Sequence, residues 1–398
     1  MDIDPALQLI KQQAEKELAK KENVVAVGIG EKETGGENTG ETVIKVFVQK
    51  KRDPSELTAN DLVPEEVNGV KTDVVEIGEI RAHTVSTDEE ANKVSKRKQV
   101  RPLMGGISGM WCKGSACTLG AIVYKNGKAY GLTNTHCAFP HWDGAKIGDA
   151  FLQPSPNDGG ELEDDEIGKV REALELKFDG TPNDFDAALV ELSVDAKGCY
   201  QDELGDFVPD VADLKVGDEV VKMGRTTGLQ RSKVTAVNVT AYVTYEDGLV
   251  ATFRNQIFCE NKGRYFSAGG DSGSLILNAA GNPVALNFAG SDVIEICSPI
   301  KPIMAHFGFT FSEKPPQQQD LEGYIAVRKI GAKDMMVKVD PVTITDGNEA
   351  TASFALNMRK APGTTGERIK VLPVGARVEV TGATIERDGY VWAPVKVK

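Results

Sequence analysis

Gly269-Gly270-Asp271-Ser272-Gly273, followed by the apolar run Leu275-Ile276-Leu277, is the stretch that decides the reading of this chain. Two glycines ahead of an acid and a serine suit a tight turn that presents a hydroxyl. The backbone N–H groups of Gly270 and Ser272 would then converge on one spot, where charge can develop on a carbonyl oxygen. A serine hydroxyl is a weak nucleophile without a base beside it. Two stretches nearer the N-terminus supply the missing groups. Thr133-Asn134-Thr135-His136-Cys137 offers an imidazole after a strand-like run at 129–133, and Asp186-Ala187-Ala188-Leu189 offers a carboxylate at the start of a small-residue strand. The imidazole can take the hydroxyl proton and later return it, and the carboxylate can fix the imidazole tautomer. Asp179 and Asp184 compete for the carboxylate role, and the small apolar residues after Asp186 favour its burial.

The order His136, Asp186, Ser272 is the chain order of chymotrypsin-type enzymes and differs from the Ser-Asp-His order of α/β-hydrolases. Between the last two lies Lys222-Met223-Gly224-Arg225-Thr226-Thr227-Gly228-Leu229, which resembles the Gly-x-Thr-Thr-Gly turn of bacterial enzymes of that type. On these motifs, residues 102–311 resemble a bacterial trypsin-like serine peptidase. The resemblance implies two six-stranded barrels with a cleft between them. It implies His136 as base, Asp186 as orienter, Ser272 as nucleophile, and Gly270 with Ser272 as oxyanion donors. The substrate would be a peptide or protein, cut through an acyl-enzyme. The resemblance also points to a disulfide between Cys117 and Cys137; two buried thiols are the alternative.

Specificity and activation are read from the same comparison. The position six before the nucleophile is Phe266, followed by Ser267, so a basic side chain finds no counter-charge there. A neutral or apolar residue before the scissile bond is therefore expected, with Phe288, Ala289 and Gly290 along the pocket wall; core packing is the other reading of these three residues. In zymogens of this type a new N-terminal ammonium pairs with the acid before the nucleophile. Met104-Gly105-Gly106-Ile107 is only faintly similar to such a start, and Arg101-Pro102 is a bond trypsin-like enzymes cut poorly. An internal cation meeting Asp271 is expected instead.

A length of 398 residues suggests two or three domains, and 40% hydrophobic with 26% charged residues is a globular composition. The net charge of −13 argues against a nucleic-acid partner. No apolar run approaches the ~20 residues that cross a bilayer. Met1-Asp2-Ile3-Asp4-Pro5 lacks the basic and apolar regions of a secretory signal, so a cytoplasmic location is expected, a secreted or envelope-associated one being the alternative. Six cysteines are too few for a disulfide scaffold. A metal site from His136, Cys137, His141 and Asp143 would lack a second ligand cluster, so neither metal nor cofactor is expected.

The organisation expected is mainly β. Residues 1–83 read as a small α+β domain: a helix over 4–21 with Asp4 as cap and Pro5 at its first position, strands at 24–30, 42–50 and 70–77, and a short helix at 54–62. Its expected role is an inhibitory or folding-assisting prosegment, or a docking domain. Residues 84–101 have linker composition. Short runs at 118–124, 129–133, 186–192, 219–223, 233–243, 250–253, 275–277 and 283–288 fill the two-barrel region 102–311, with a helical turn at 301–306. A Pro- and Gln-containing linker follows at 312–320. In 321–398, Leu356-Asn357-Met358-Arg359-Lys360-Ala361-Pro362-Gly363 and the late aromatics Tyr390 and Trp392 resemble bacterial Src-homology-3-like domains. That resemblance implies a small β-barrel that binds a peptide or cell-wall ligand. A non-catalytic protein binding such ligands on a protease scaffold is the alternative to an endopeptidase.

Overall fold

The computed structural model describes residues 4–35, 37–82, 97–313 and, nearer the C-terminus, 322–329, 337–339, 349–352, 356–359, 368–372, 377–381, 385–388 and 390–397. It divides into two compact units, Met1–Glu313 and Lys314–Lys398. Most of the linker expected at 84–101 and of that at 312–320 lies outside the described residues.

The chain is mainly β, and its first unit holds two barrels. In the first, the strands run in the order Cys117–Leu119, Ile107–Trp111, Ala150–Leu152, Glu166–Ala173, Ala188–Leu192, Lys128–Thr133, Ala121–Lys125. The two end strands meet at Gly120, whose N–H donates to Leu132 O at 2.9 Å, so the sheet closes on itself. Ile107, Leu119, Ile122, Phe151, Ile167 and Val190 fill its interior. In the second barrel, Glu219–Gly224 pairs with both Leu275–Asn278 and Gly228–Thr244. Pro283–Gly290, Ile294–Pro299 and Val250–Glu260 complete the ring. Val234, Val237, Ile257, Ile276 and Val284 pack inside it. A third cluster joins the barrels: Val123, Leu132 and Leu189 from the first meet Leu275, Leu277 and Leu286 from the second and the helix Ile300–Phe307. Each such side chain withdraws enough apolar surface to contribute ~1.5–3 kcal/mol, so the barrels are held as one body.

Residues 5–82 contain the expected helix, Pro5–Leu18, capped by Asp4 Oδ1 on Ala6 N–H at 2.9 Å. They do not stand apart from the barrels. The strand Val24–Thr34 pairs with Gly228–Thr244 in the register Ala26↔Ala241 and Val27↔Thr240, and Glu37–Val48 and Val70–Glu76 extend that sheet. The approach is close: a Cβ at Gly28 would stand 2.6 Å from Val239 Cγ2. The helix is tied to the same strand by the buried Lys11, whose Nζ donates to Thr240 Oγ1 at 2.8 Å. Burial drives the Lys11 pKa down against the opposing pull of Glu15. The helix expected at 54–62 is only the 3-10 turn Pro54–Glu56, because Leu57 returns to extended backbone.

The second unit is an eight-stranded sheet in the order Val337–Val339, Glu349–Ala352, Arg377–Val380, Tyr390–Val397, Glu322–Lys329, Leu356–Arg359, Arg368–Leu372, with Ile385–Arg387 on Tyr390–Val397. Val378, Val380, Trp392, Ala393 and Val395 are buried.

Candidate active site

The turn 268–271 delivers Ser272 to the edge of the second barrel. Gly270 has φ +93°, a left-handed conformation open to glycine, and a Cβ there would meet Thr226 Oγ1 at 2.6 Å. Asp271 braces the turn from within. Its buried carboxylate accepts from Thr226 N–H (2.8 Å), Thr227 N–H (3.1 Å), Thr227 Oγ1 (2.7 Å) and Ala268 N–H (3.1 Å), and lies 3.2 Å from Lys222 Nζ. Burial pushes this carboxyl upward; Lys222 and the hydrogen bonds of Thr227 and Thr226 outweigh it and hold the pKa below the ordinary range. Lys222 is thus the internal cation beside Asp271, and the Thr226-Thr227 turn is its partner in caging the acid. Thr118 Oγ1 donates to Gly270 O (2.9 Å) and Thr226 Oγ1 to Gly269 O (2.7 Å). Among the described residues, no acceptor lies on the N–H groups of Gly270 and Ser272.

His136 sits in the helical turn Thr135–Ala138, directly after the strand Lys128–Thr133 of the first barrel. Its Nδ1 lies 2.6 Å from Asp186 Oδ2. Asp186 is fully buried, and its Oδ1 accepts from the N–H groups of Thr135 (2.6 Å) and His136 (3.3 Å). A carboxylate at Nδ1 places the ring proton there and leaves Nε2 as an acceptor. Nε2 is buried, with no hydrogen-bond partner among the described residues. The competing acids lie elsewhere: Asp184 pairs with Arg254 at the surface (2.6 Å) and Asp179 accepts from Thr181 N–H.

The backbone of Ser272 lies against this half of the site: Thr118 N–H donates to Ser272 O at 2.8 Å, and Cys137 Sγ lies 3.8 Å from the same oxygen. The Ser272 hydroxyl itself donates to Phe288 O at 3.2 Å. The structure therefore joins imidazole and carboxylate directly and turns the hydroxyl towards a backbone carbonyl. Cys117 and Cys137 form a disulfide across 20 residues, a loop whose closure contributes ~3 kcal/mol in the chain-entropy account. Ligand atoms of Cys117, His136 and Cys137 lie within 4.8 Å of one another, but disulfide sulfurs are not thiolate ligands.

Of the expected pocket residues, Phe266 and Phe288 belong to the apolar core clusters. The Phe266 ring is buried among Ile276, Val284 and Cys297, and Phe288 packs on Phe253 with ring centroids 4.7 Å apart. Ser267 is buried and its Oγ accepts from Asn287 Nδ2 at 2.9 Å. Gly290 stands opposite Glu295, whose Oε2 lies 2.4 Å from where a Cβ on Gly290 would be. Glu295 is fully buried. Beside Ala289 and Gly290 runs the short strand Arg81–Ala82, antiparallel, in the register Ala289↔Ala82 and Gly290↔Arg81. A cavity of about 490 Å³ opens next to His136, lined by Ala82, Met110, Trp111, Trp142 and Tyr245 among others.

Three of these participants escaped the reading of the sequence. Lys222 is hidden in a strand, Glu295 lies well past the serine motif, and Tyr245 sits in a connection with no motif at all. Tyr245 donates its phenol to Asp186 Oδ2 at 2.8 Å.

Two β-barrels, with an imidazole–carboxylate pair from one and a Gly-Asp-Ser-Gly turn from the other, define the chymotrypsin-like class of fold. No family model matches the chain. It is 30% identical over 200 residues to Serine protease 1 of Streptomyces fradiae, covering 50% of this chain and 45% of that protein. It is 26% identical over 149 residues to Streptogrisin-D of Streptomyces griseus, covering 37% and 33% respectively. The chain thus spans less than half the length of these curated relatives. Among solved structures it is similar to a glutamic acid specific serine protease (23% identity, 53% of this chain and 100% of that one, TM-score 0.39). A second is Cellulomonas bogoriensis chymotrypsin (20% identity, 53% and 99%, TM-score 0.37).

Proposed function

We propose that the chain is a serine endopeptidase in which His136, Asp186 and Ser272 act as one unit. The observation that carries this is the buried His136–Asp186 contact at 2.6 Å, which leaves Nε2 as an acceptor with no partner among the described residues. In the proposed reaction the Ser272 hydroxyl leaves Phe288 O, gives its proton to Nε2 and bonds to the substrate carbonyl carbon. The N–H groups of Gly270 and Ser272 receive the oxyanion. The carbon–nitrogen bond then breaks and Nε2 returns the proton to the leaving amine. Water, deprotonated by the same nitrogen, releases the acyl group. Digestion of a peptide library tests the reading: wild type cuts internal peptide bonds and Ser272→Ala does not. Hydrolysis of esters alone would reduce the proposal to an esterase.

The same digest decides the preference. Phe266 supplies no charge, which favours a neutral or apolar residue before the cut. The buried acid Glu295 beside Gly290 favours a second reading, a cationic residue there.

Residues 1–83 fit the role of an inhibitory segment acting within the chain. An extended peptide is bound by adding a strand to a free sheet edge. Ala289 and Gly290 lead away from the carbonyl that holds Ser272, and Arg81 and Ala82 already occupy that edge. Because Lys222 already meets Asp271, assembly of the serine turn needs no new N-terminus. Cleavage within 83–96 is accordingly expected to raise peptide turnover at least about tenfold while leaving reaction with a small fluorophosphonate nearly unchanged. Equal peptide turnover before and after the cut would remove the inhibitory role.

A further inference from the structure

We infer that Tyr245 is a positioning residue for His136, acting through the carboxylate of Asp186; its functional meaning rests on the peptidase reading above. Tyr245 directly follows the strand Gly228–Thr244 of the second barrel, whereas His136 and Asp186 belong to the first. Its phenol donates to Asp186 Oδ2 at 2.8 Å, the same oxygen that holds His136 Nδ1 at 2.6 Å. Its ring meets the His136 ring edge-on, with centroids 5.9 Å apart and planes at 73°. One side chain thus touches both members of the pair.

The ring is fixed in place. Trp142 and Phe178 pack edge-on against it, each with centroids 5.6 Å away, and Phe253 lies 6.3 Å away on the core side. The phenol is therefore aimed at a single oxygen. Burial first, and then the charge of Asp186, push its pKa well above the ordinary phenol value, so it stays protonated and donates.

Asp186 then has two donors on each oxygen: backbone N–H groups of Thr135 and His136 on Oδ1, the imidazole and the phenol on Oδ2. Four donors lock the rotation of the carboxylate, which keeps Oδ2 on Nδ1. The phenol also competes with the imidazole for charge on one oxygen. A donor that stabilises the anion lessens what the carboxylate gives to an imidazolium. Removing it should make His136 more basic.

The test is the titration of His136, followed by the low-field NMR signal of its Nδ1 proton, which does not need turnover. The other ionisable groups along the His136 cavity are Lys113, Asp143 and Glu246, with His141 behind Trp142; none is altered by the variant. Tyr245→Phe keeps the ring and removes only the donor. The midpoint is expected to rise by about 0.5–1 pH unit, the scale of losing one hydrogen bond to a buried carboxylate. The acidic limb of kcat/KM should move with it, at unchanged KM. Global incorporation of 3-fluorotyrosine strengthens the phenol as donor and should move the midpoint down, which covers failure of the Phe variant to fold. An unmoved midpoint in folded Tyr245→Phe, or no opposite shift with fluorotyrosine, overturns the positioning role and leaves Tyr245 as packing. A shifted midpoint in a protein that hydrolyses no peptide upholds the positioning and sinks the peptidase reading instead.

Discussion

Replacing Ser272 by alanine is expected to lower peptide turnover by about 10⁶-fold, the loss seen when the nucleophile of such a unit is removed. His136→Ala should cost about as much, and the double variant little more than either. That non-additivity is the informative result. A hydroxyl and an imidazole that act on one proton cannot lose it twice, whereas two groups contributing independently would multiply their losses. Folding should be nearly unaffected. The Ser272 hydroxyl makes one hydrogen bond, to Phe288 O, and its removal leaves a carbonyl without that donor, worth roughly 1 kcal/mol. Full-length variants with wild-type unfolding curves but fully multiplicative losses would show that the two residues do not share a step.

Lys222→Met is expected to be the most destabilising of the substitutions considered. Lys222 and Asp271 are both fully buried, with Nζ and Oδ2 at 3.2 Å. Breaking such a pair by removing one partner strands a charge in the interior and costs ~3–5 kcal/mol. The four hydrogen bonds from Thr226, Thr227 and Ala268 remain, so Asp271 is not left without support. The pH dependence follows from the direction of the Asp271 shift. In the native protein its pKa is depressed below the unfolded value. The unfolded chain therefore binds the proton first as pH falls, and the stability that Asp271 contributes is present above the ordinary carboxylate range. It is lost as pH drops through the folded value. Without Lys222 the folded value rises, so urea midpoints measured against pH should begin to fall at a higher pH than in wild type. Turnover at neutral pH should fall by roughly 10²–10³, because the turn that aligns the N–H groups of Gly270 and Ser272 loses its brace. A variant with an unchanged acid limb of stability would mean that Asp271 is held by its hydrogen bonds alone.

What the sequence disclosed and what it hid have physical causes. The serine turn, the imidazole and the carboxylate each lie in a short local pattern. Gly270 announces a left-handed turn and Ala187-Ala188 announce burial, so all three could be named as candidates without coordinates. The barrel strands at 129–133 and 219–223 were legible through turns of Gly, Asn and Asp at their ends, whereas the run 118–124 is two strands, Cys117–Leu119 and Ala121–Lys125, parted at Gly120. The strands Ala150–Leu152 and Glu166–Ala173 were not. One is too short to show alternation, and the other carries charges at Glu166, Lys169, Arg171 and Glu172, of which Lys169 and Arg171 are exposed and the two acids half-buried. Pairing partners leave no local trace either, so nothing in residues 24–48 told that they continue the second barrel's sheet. The placement of Phe288 depends on which way its strand, Pro283–Gly290, faces, and a shift of one residue reverses it. Tyr245 reaches Asp186 across 59 positions of sequence, and a tyrosine in a connection looks like any other.

The account turns on Ser272 being activated by His136 within the folded chain. Mass spectrometry of the intact protein after exposure to a fluorophosphonate addresses that directly. A single adduct located on Ser272, absent from Ser272→Ala and slowed at least about a thousandfold in His136→Ala, is the result predicted. No adduct on Ser272 in the folded protein, before or after cleavage within residues 83–96, would contradict it.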